Sequence, residues 1–91
     1  KTVDIKEVRM SMNIDTHDFE TKVNQAVRFL QGGDKVKVSV RFRGREMAHT
    51  ELGRELLDRF KDSVGEAGVI DKPAKMEGRS MAMFISPKSA R

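Results

Sequence analysis

Cysteine is absent from this 91-residue chain, so neither a disulfide framework nor a thiolate zinc site can be built. Tryptophan and tyrosine are absent as well, and five phenylalanines are the whole aromatic complement. Proline occurs only as Pro73 and Pro87. No apolar run approaches the ~20 residues that a membrane-spanning helix requires. The opening Lys1-Thr2-Val3-Asp4 has neither an initiator Met nor the apolar stretch of a signal peptide. A piece of a longer protein, neither secreted nor inserted in a membrane, is therefore expected. Histidine is limited to His17 and His49, with no third ligand and no nucleophile–base pair beside them. Catalysis, a metal and a cofactor are not expected.

What remains is enough for one domain, whose fold would hide roughly two-thirds of the surface of the unfolded chain. Eighteen Lys and Arg against fourteen Asp and Glu leave a formal charge of +4. The placement of that charge matters more than its sum. Lys35, Lys37, Arg41, Arg43 and Arg45 follow one another without an acid between them, while acids gather at 15–20 and 46–66. A single segment thus carries the positive field, which suits a polyanionic partner.

Val8, Met10, Met12 and Ile14 alternate with Glu7, Arg9, Ser11 and Asn13, the period of a half-buried strand. Asp15 and Thr16 offer helix caps, with Asp18 and Glu20 in a first turn where the helix dipole favours anions. Phe19, Val23, Ala26, Val27 and Leu30 share one face of that helix, and Gly32-Gly33 stops it. Val36, Val38, Val40 and Phe42 mark the clearest strand. Lys35, Lys37, Ser39, Arg41 and Arg43 lie on its other side, and Gly44 breaks the pattern. A second helix is predicted from about Arg45 to Val64, its stripe running Ala48, Leu52, Leu56, Phe60 and Val64. Glu55 and Arg59 are spaced for an i, i+4 ion pair, and Gly65 and Gly68 end the helix. Val69 and Ile70 open a short strand that Pro73 makes irregular and places at a sheet edge. Glu77-Gly78-Arg79 supplies a turn, Met81 to Ile85 returns as an apolar strand, and a basic tail follows Pro87. The order β-α-β-α-β-β reads as an α+β domain of two layers, two helices over one sheet.

Arginine carries a planar fork that grips phosphate oxygens bidentately. Strand alternation places Arg41 and Arg43 on one side, about 7 Å apart, comparable to successive phosphates of a nucleic-acid strand. A mixed-charge face is usually mere solvated surface, but five cations without an acid, three of them arginine, favour a polyanion. Phe19, Phe42 and Phe60 sit in apolar registers and belong to the core, whereas Phe29 and Phe84 stay open. Sheets that stack RNA bases carry aromatics on their outer face. Here Lys and Arg take that place, so structured RNA read through backbone and shape is expected rather than splayed bases. Gly65-Glu66-Ala67-Gly68 matches the GxxG clamp of KH domains. Its glutamate would repel the backbone to be clamped, so the tetrapeptide reads as a helix end. Six methionines read as adaptable core filler.

Val40-Arg41-Phe42-Arg43-Gly44-Arg45-Glu46-Met47-Ala48-His49 closely resembles the RFRGREMAH signature of the C-terminal domain of bacterial translation initiation factor three. The likeness continues through Lys6-Glu7-Val8-Arg9, Val27-Arg28-Phe29-Leu30, Gly33-Asp34-Lys35, Leu57-Asp58-Arg59 and Lys75-Met76-Glu77-Gly78-Arg79. Ile85-Ser86-Pro87-Lys88 is similar to the family's terminal APK, so nearly the whole chain is covered. The resemblance implies both helices on one face of a mixed four-stranded sheet of order 1-2-4-3. It also implies a monomer of the bacterial cytoplasm that binds 16S ribosomal RNA at the platform of the small subunit. There the family blocks docking of the large subunit and supports selection of initiator tRNA and start codon on the mRNA.

The family's RNA-contacting arginines match Arg28, Arg41, Arg43, Arg45, Arg59 and Arg79, and the basic segment adds Lys35 and Lys37 as candidates. One position departs: Ser11 stands where many members carry arginine, with Arg9 nearby. The expected division is 1–6 as the end of an interdomain linker, 7–88 as the ribosome-binding domain and 89–91 as the basic tail. A general structured-RNA binder, or a protein adaptor using the mixed-charge face of the second helix, is the rival reading.

Overall fold

The computed structural model describes residues 4–88. In it the chain forms β1 (Ile5–Ser11), α1 (Thr16–Gln31), β2 (Lys35–Arg41) and a 3-10 segment (Gly44–His49). These are followed by α2 (Thr50–Val64), a short 3-10 turn (Gly65–Ala67), β3 (Gly68–Glu77) and β4 (Ser80–Pro87). β1 starts two residues before the expected domain boundary and ends at Ser11, so Met12 and Ile14 lie in the following turn rather than in the strand. The basic tail at 89–91 lies outside the described residues.

The strands make one mixed sheet in the order β1-β2-β4-β3, with two helices over it. β1 and β2 run parallel, and β4 is antiparallel to both β2 and β3. β1, β2 and β3 therefore point the same way and finish at one end of the sheet. Pairing there is Ser11 with Arg41, Arg41 with Ser80, and Glu77 with Ser80. Chain direction alone thus gathers the exits of three elements around the β3–β4 turn.

Alternation sets which side of each strand is dry. Val8 and Met10 of β1, Val36, Val38 and Val40 of β2, and Met81, Met83 and Ile85 of β4 enter one core. From α1 come Phe19, Val23, Ala26 and Leu30, held in register by a real N-cap: Asp15 Oδ1 accepts from the Asp18 N–H at 2.8 Å. Phe19 meets Phe60 of α2 edge to face, with centroids 5.8 Å apart and planes at 85°, and so joins the two helices. Phe42, Phe60 and Phe19 are core, as their registers predict.

The second helix departs from its predicted stripe. α2 begins at Thr50, and Ala48 is exposed in the 3-10 segment before it. Leu52 is 46% exposed, while Gly53, Leu57, Phe60 and Val64 form the buried face. Residues four apart advance about 40° around a helix of 3.6 residues per turn, so a strict spacing of four winds off the core. The buried face instead mixes steps of four and three. Gly53 belongs to it because the ring of Phe42 lies beneath: a Cβ at Gly53 would fall 2.3 Å from Phe42 Cζ.

β3 is the edge that Pro73 announces. It shifts register between Ile70 and Lys72 and again between Lys72 and Lys75. Gly68 at its start is buried beside Leu30 and Ile85, and beyond it only Ala74 and Met76 pack partly on the core. The turn falls at Gly78 as expected, with φ of 64°, a left-handed conformation that glycine enters without steric cost.

Candidate nucleic-acid interface

The cationic end of the sheet is built by two backbone devices. The N–H of Phe42, just past β2, donates to the carbonyl of Arg79 at 2.8 Å and ties the β2 exit to the β3–β4 turn. The Arg43 N–H donates to Glu46 Oε1 at 2.8 Å, and the Glu46 N–H donates back to the Arg43 carbonyl at 2.8 Å. That reciprocal pair starts the 3-10 segment and directs the chain away from the sheet at Gly44. β2 ends at Arg41, yet alternation persists past it: Phe42 is buried while Arg41 and Arg43 on either side are exposed. Arg43 is extended (φ −84°, ψ 169°) but stands beyond the sheet.

Arg41, Arg43 and Arg79 nevertheless converge. With Ser11, Asn13, Phe42, Gly44 and Glu46 they line an open cleft of about 500 Å³. Arg45 borders an adjoining hollow with Asn13, Arg43, Gly44 and Glu46. None of these four arginines makes an ion pair among the described residues. Glu46 is the one acid in the cleft, and its carboxylate is engaged by backbone. Free guanidinium forks around a solvated hollow can grip anionic groups bidentately.

The two lysines are placed differently. Lys35 Nζ lies 3.4 Å from Asp71 Oδ2, and Lys37 Nζ lies 3.3 Å from Glu77 Oε1. The basic segment is thus free of acid only along the sequence; in space β3 lays carboxylates beside it. Exposed pairs of this kind contribute about 1 kcal/mol or less, so an incoming anion can exchange with the acid.

Arg28 and Arg59 occupy the helical layer instead. Arg28 is in the last turn of α1, about 18 Å along the helix axis from Thr16 at a rise of 1.5 Å per residue. Arg59 places its guanidinium over Phe19, 5.4 Å from the centroid, and makes no pair with Glu55. The eight candidates therefore divide among a cationic end, an open sheet face and a helical face.

Two features escaped the sequence reading. Asn13 joins Ser11 in lining the arginine cleft, so the departure already noted at Ser11 falls within it, paired in register with Arg41. Phe84 stands on the outer sheet face opposite Lys37, which corrects the expectation that only Lys and Arg occupy that face. The alternation of Met81, Met83 and Ile85 carried that signal.

Among the described residues no group of three or more His, Cys, Asp or Glu could hold a metal. No helix among the described residues is long and apolar enough to cross a membrane. An α+β domain that converges arginines on an open cleft has the makings of an anion-gripping module.

Residues 3–88 match the family described as "Translation initiation factor IF-3, C-terminal domain", and the chain belongs to that family. It is 54% identical over 88 residues to Translation initiation factor IF-3 of Brucella anthropi, covering 97% of this chain and 49% of that protein. The same protein of Caldanaerobacter subterraneus subsp. tengcongensis is 52% identical, with the same coverage. The chain spans about half the length of the curated relatives it matches. Among solved structures it is similar to a SepF-like protein from Pyrococcus furiosus, with a TM-score of 0.58 and 17% identity. That match covers 97% of this chain and 90% of the other, and it supports the α+β fold alone.

Proposed function

We propose that this chain is the ribosome-binding domain of a translation initiation factor. It binds 16S ribosomal RNA on the platform of the small subunit, obstructs docking of the large subunit, and supports selection of initiator tRNA and start codon. One observation carries the reading: Arg41, Arg43, Arg45 and Arg79 surround one end of the domain and none is neutralised by an acid among the described residues. Guanidinium forks anchor the domain on phosphates. Lys35 and Lys37 exchange their carboxylates for phosphate, and Arg28 and Arg59 offer further cations from the helical layer. The mechanism is steric: an anchored, rigid domain occupies RNA surface that the large subunit needs.

The test is the salt dependence of small-subunit binding. Arg41→Ala or Arg43→Ala should lower affinity and flatten the slope of log K against log salt by about one counterion for each phosphate no longer gripped. Folding should survive, because Val40 and Phe42 carry the packing at this point. Unchanged affinity and slope in both variants would refute the reading, and salt-insensitive binding would favour a protein adaptor. Light scattering across a titration then checks the steric step. If the chain saturates small subunits while they still join large ones unhindered, occupancy is not the mechanism.

A further inference from the structure

Phe84 has no part in the arginine cleft, and the core does not use it. Its neighbours Met83 and Ile85 point inward, so the ring projects from the face that the helices leave open. Register sets it between Lys37 of β2 and Lys72 of β3. Lys37 Nζ stands over the ring 5.8 Å from its centroid and Lys72 Nζ at 5.4 Å, so an ammonium swings aside toward a phosphate when a base lies on the ring. At most about 11 Å can therefore separate the two ammoniums, a span that reaches the phosphates on either side of one nucleoside.

The next cross-strand pair toward the arginine end is small, Ser39 opposite Ala82. It leaves a depression of about 280 Å³ whose lining includes Lys37, Ser39, Arg41 and Ser80, with the carboxylates of Glu7 and Glu77 at its border. Lys72 and Arg41 have no acid partner among the described residues, and Lys37 shares only the exchangeable Glu77.

We propose that this face is a binding site for an unpaired nucleotide of single-stranded RNA. The base stacks on Phe84, and Lys37 and Lys72 hold the flanking phosphates. A half-buried ring is a fixed platform, and every base has a π-face to lay on it. The hydroxyls of Ser39 and Ser80 border the depression where a ribose 2′-OH would fall, the group by which a protein tells RNA from DNA. The face adjoins the arginine cleft through Arg41, which lines both hollows, but Phe84 and Lys72 belong to this face alone, and the inference rests on them.

Fluorescence anisotropy of a labelled six-nucleotide uridine RNA, titrated with the chain, tests it. Phe84→Leu should weaken binding at least about fivefold, the low end of what one base–aromatic stack supports. Phe84→Tyr, which keeps the ring, should bind as the parent does, and matching melting curves will show that both variants fold. An abasic hexamer with the same phosphates should bind more weakly and ignore Phe84→Leu. In aromatic NMR spectra the Phe84 signals should move upfield on RNA addition. A DNA hexamer that binds as well as RNA would overturn the assignment to RNA. Hexamer binding that is unaffected by Phe84→Leu, or equal for the abasic strand, would overturn the site. Arg43→Ala separates the two proposals, since it should impair small-subunit binding while the about fivefold loss on Phe84→Leu persists in the Arg43→Ala background. Disappearance of that loss would overturn the site.

Discussion

Gly53→Ala sets helix propensity against packing, and the structure predicts which wins. In an exposed helix interior this change stabilises by about 1 kcal/mol, because alanine restricts the unfolded chain and favours the helix. At Gly53 the new Cβ would lie 2.3 Å from Phe42 Cζ and 2.7 Å from Cε1, against an ordinary carbon separation of about 3.5–4.0 Å. The ring must retreat by more than about 1 Å. It has nowhere to go, since Phe42 is 1% exposed and its backbone is fixed by the hydrogen bond to Arg79. Overpacking of a filled core costs about 1–3 kcal/mol, and a clash with a backbone-borne atom belongs in the upper part of that range. After the propensity gain, a net loss of about 1–2 kcal/mol remains. For a domain of this size that lowers Tm by about 4–16 °C, readable by circular dichroism. Gly44→Ala is the control, because its Cβ meets open space and it should melt near the parent. In a double-mutant cycle Phe42→Leu should partly relieve Gly53→Ala, giving a combined loss smaller than the sum. If Gly53→Ala melts at or above the parent, the close approach of α2 to Phe42 is wrong.

Two further outcomes are expected. Arg45→Lys and Arg79→Lys keep the charge but lose the planar fork, so each should weaken small-subunit binding by about 1 kcal/mol or more if its grip is bidentate. Equal titration curves for parent and both lysine variants would show that charge alone suffices. Asp15→Ala removes the acceptor of the Asp18 N–H and should cost about 1 kcal/mol of stability by chemical denaturation, with Asp15→Asn recovering most of it. An unchanged midpoint for Asp15→Ala would mean that water caps α1 equally well.

By itself the sequence determined whatever depends on neighbours along the chain. Alternation in β2 and β4, the Asp15 cap, the Gly78 turn and the edge character brought by Pro73 are all properties of a few consecutive residues, and all are present in the fold. The RFRGREMAH stretch likewise marked the family before any spatial neighbour was known. Tertiary structure decided what depends on residues far apart. The face of α2 is set by the ring beneath Gly53, so the stripe through Ala48 and Leu52 misled although the helix itself was legible. Asp71 and Glu77 neutralise Lys35 and Lys37 across a strand that no local pattern connects to them. Arg79 joins Arg41 and Arg43 only because β3 runs parallel to β2 and turns beside its end. Periodicity specifies on which side of its own strand a charge lies. Which charges meet is set by strand order, because Coulomb and hydrogen-bond energies depend on distance through space and not on separation along the chain.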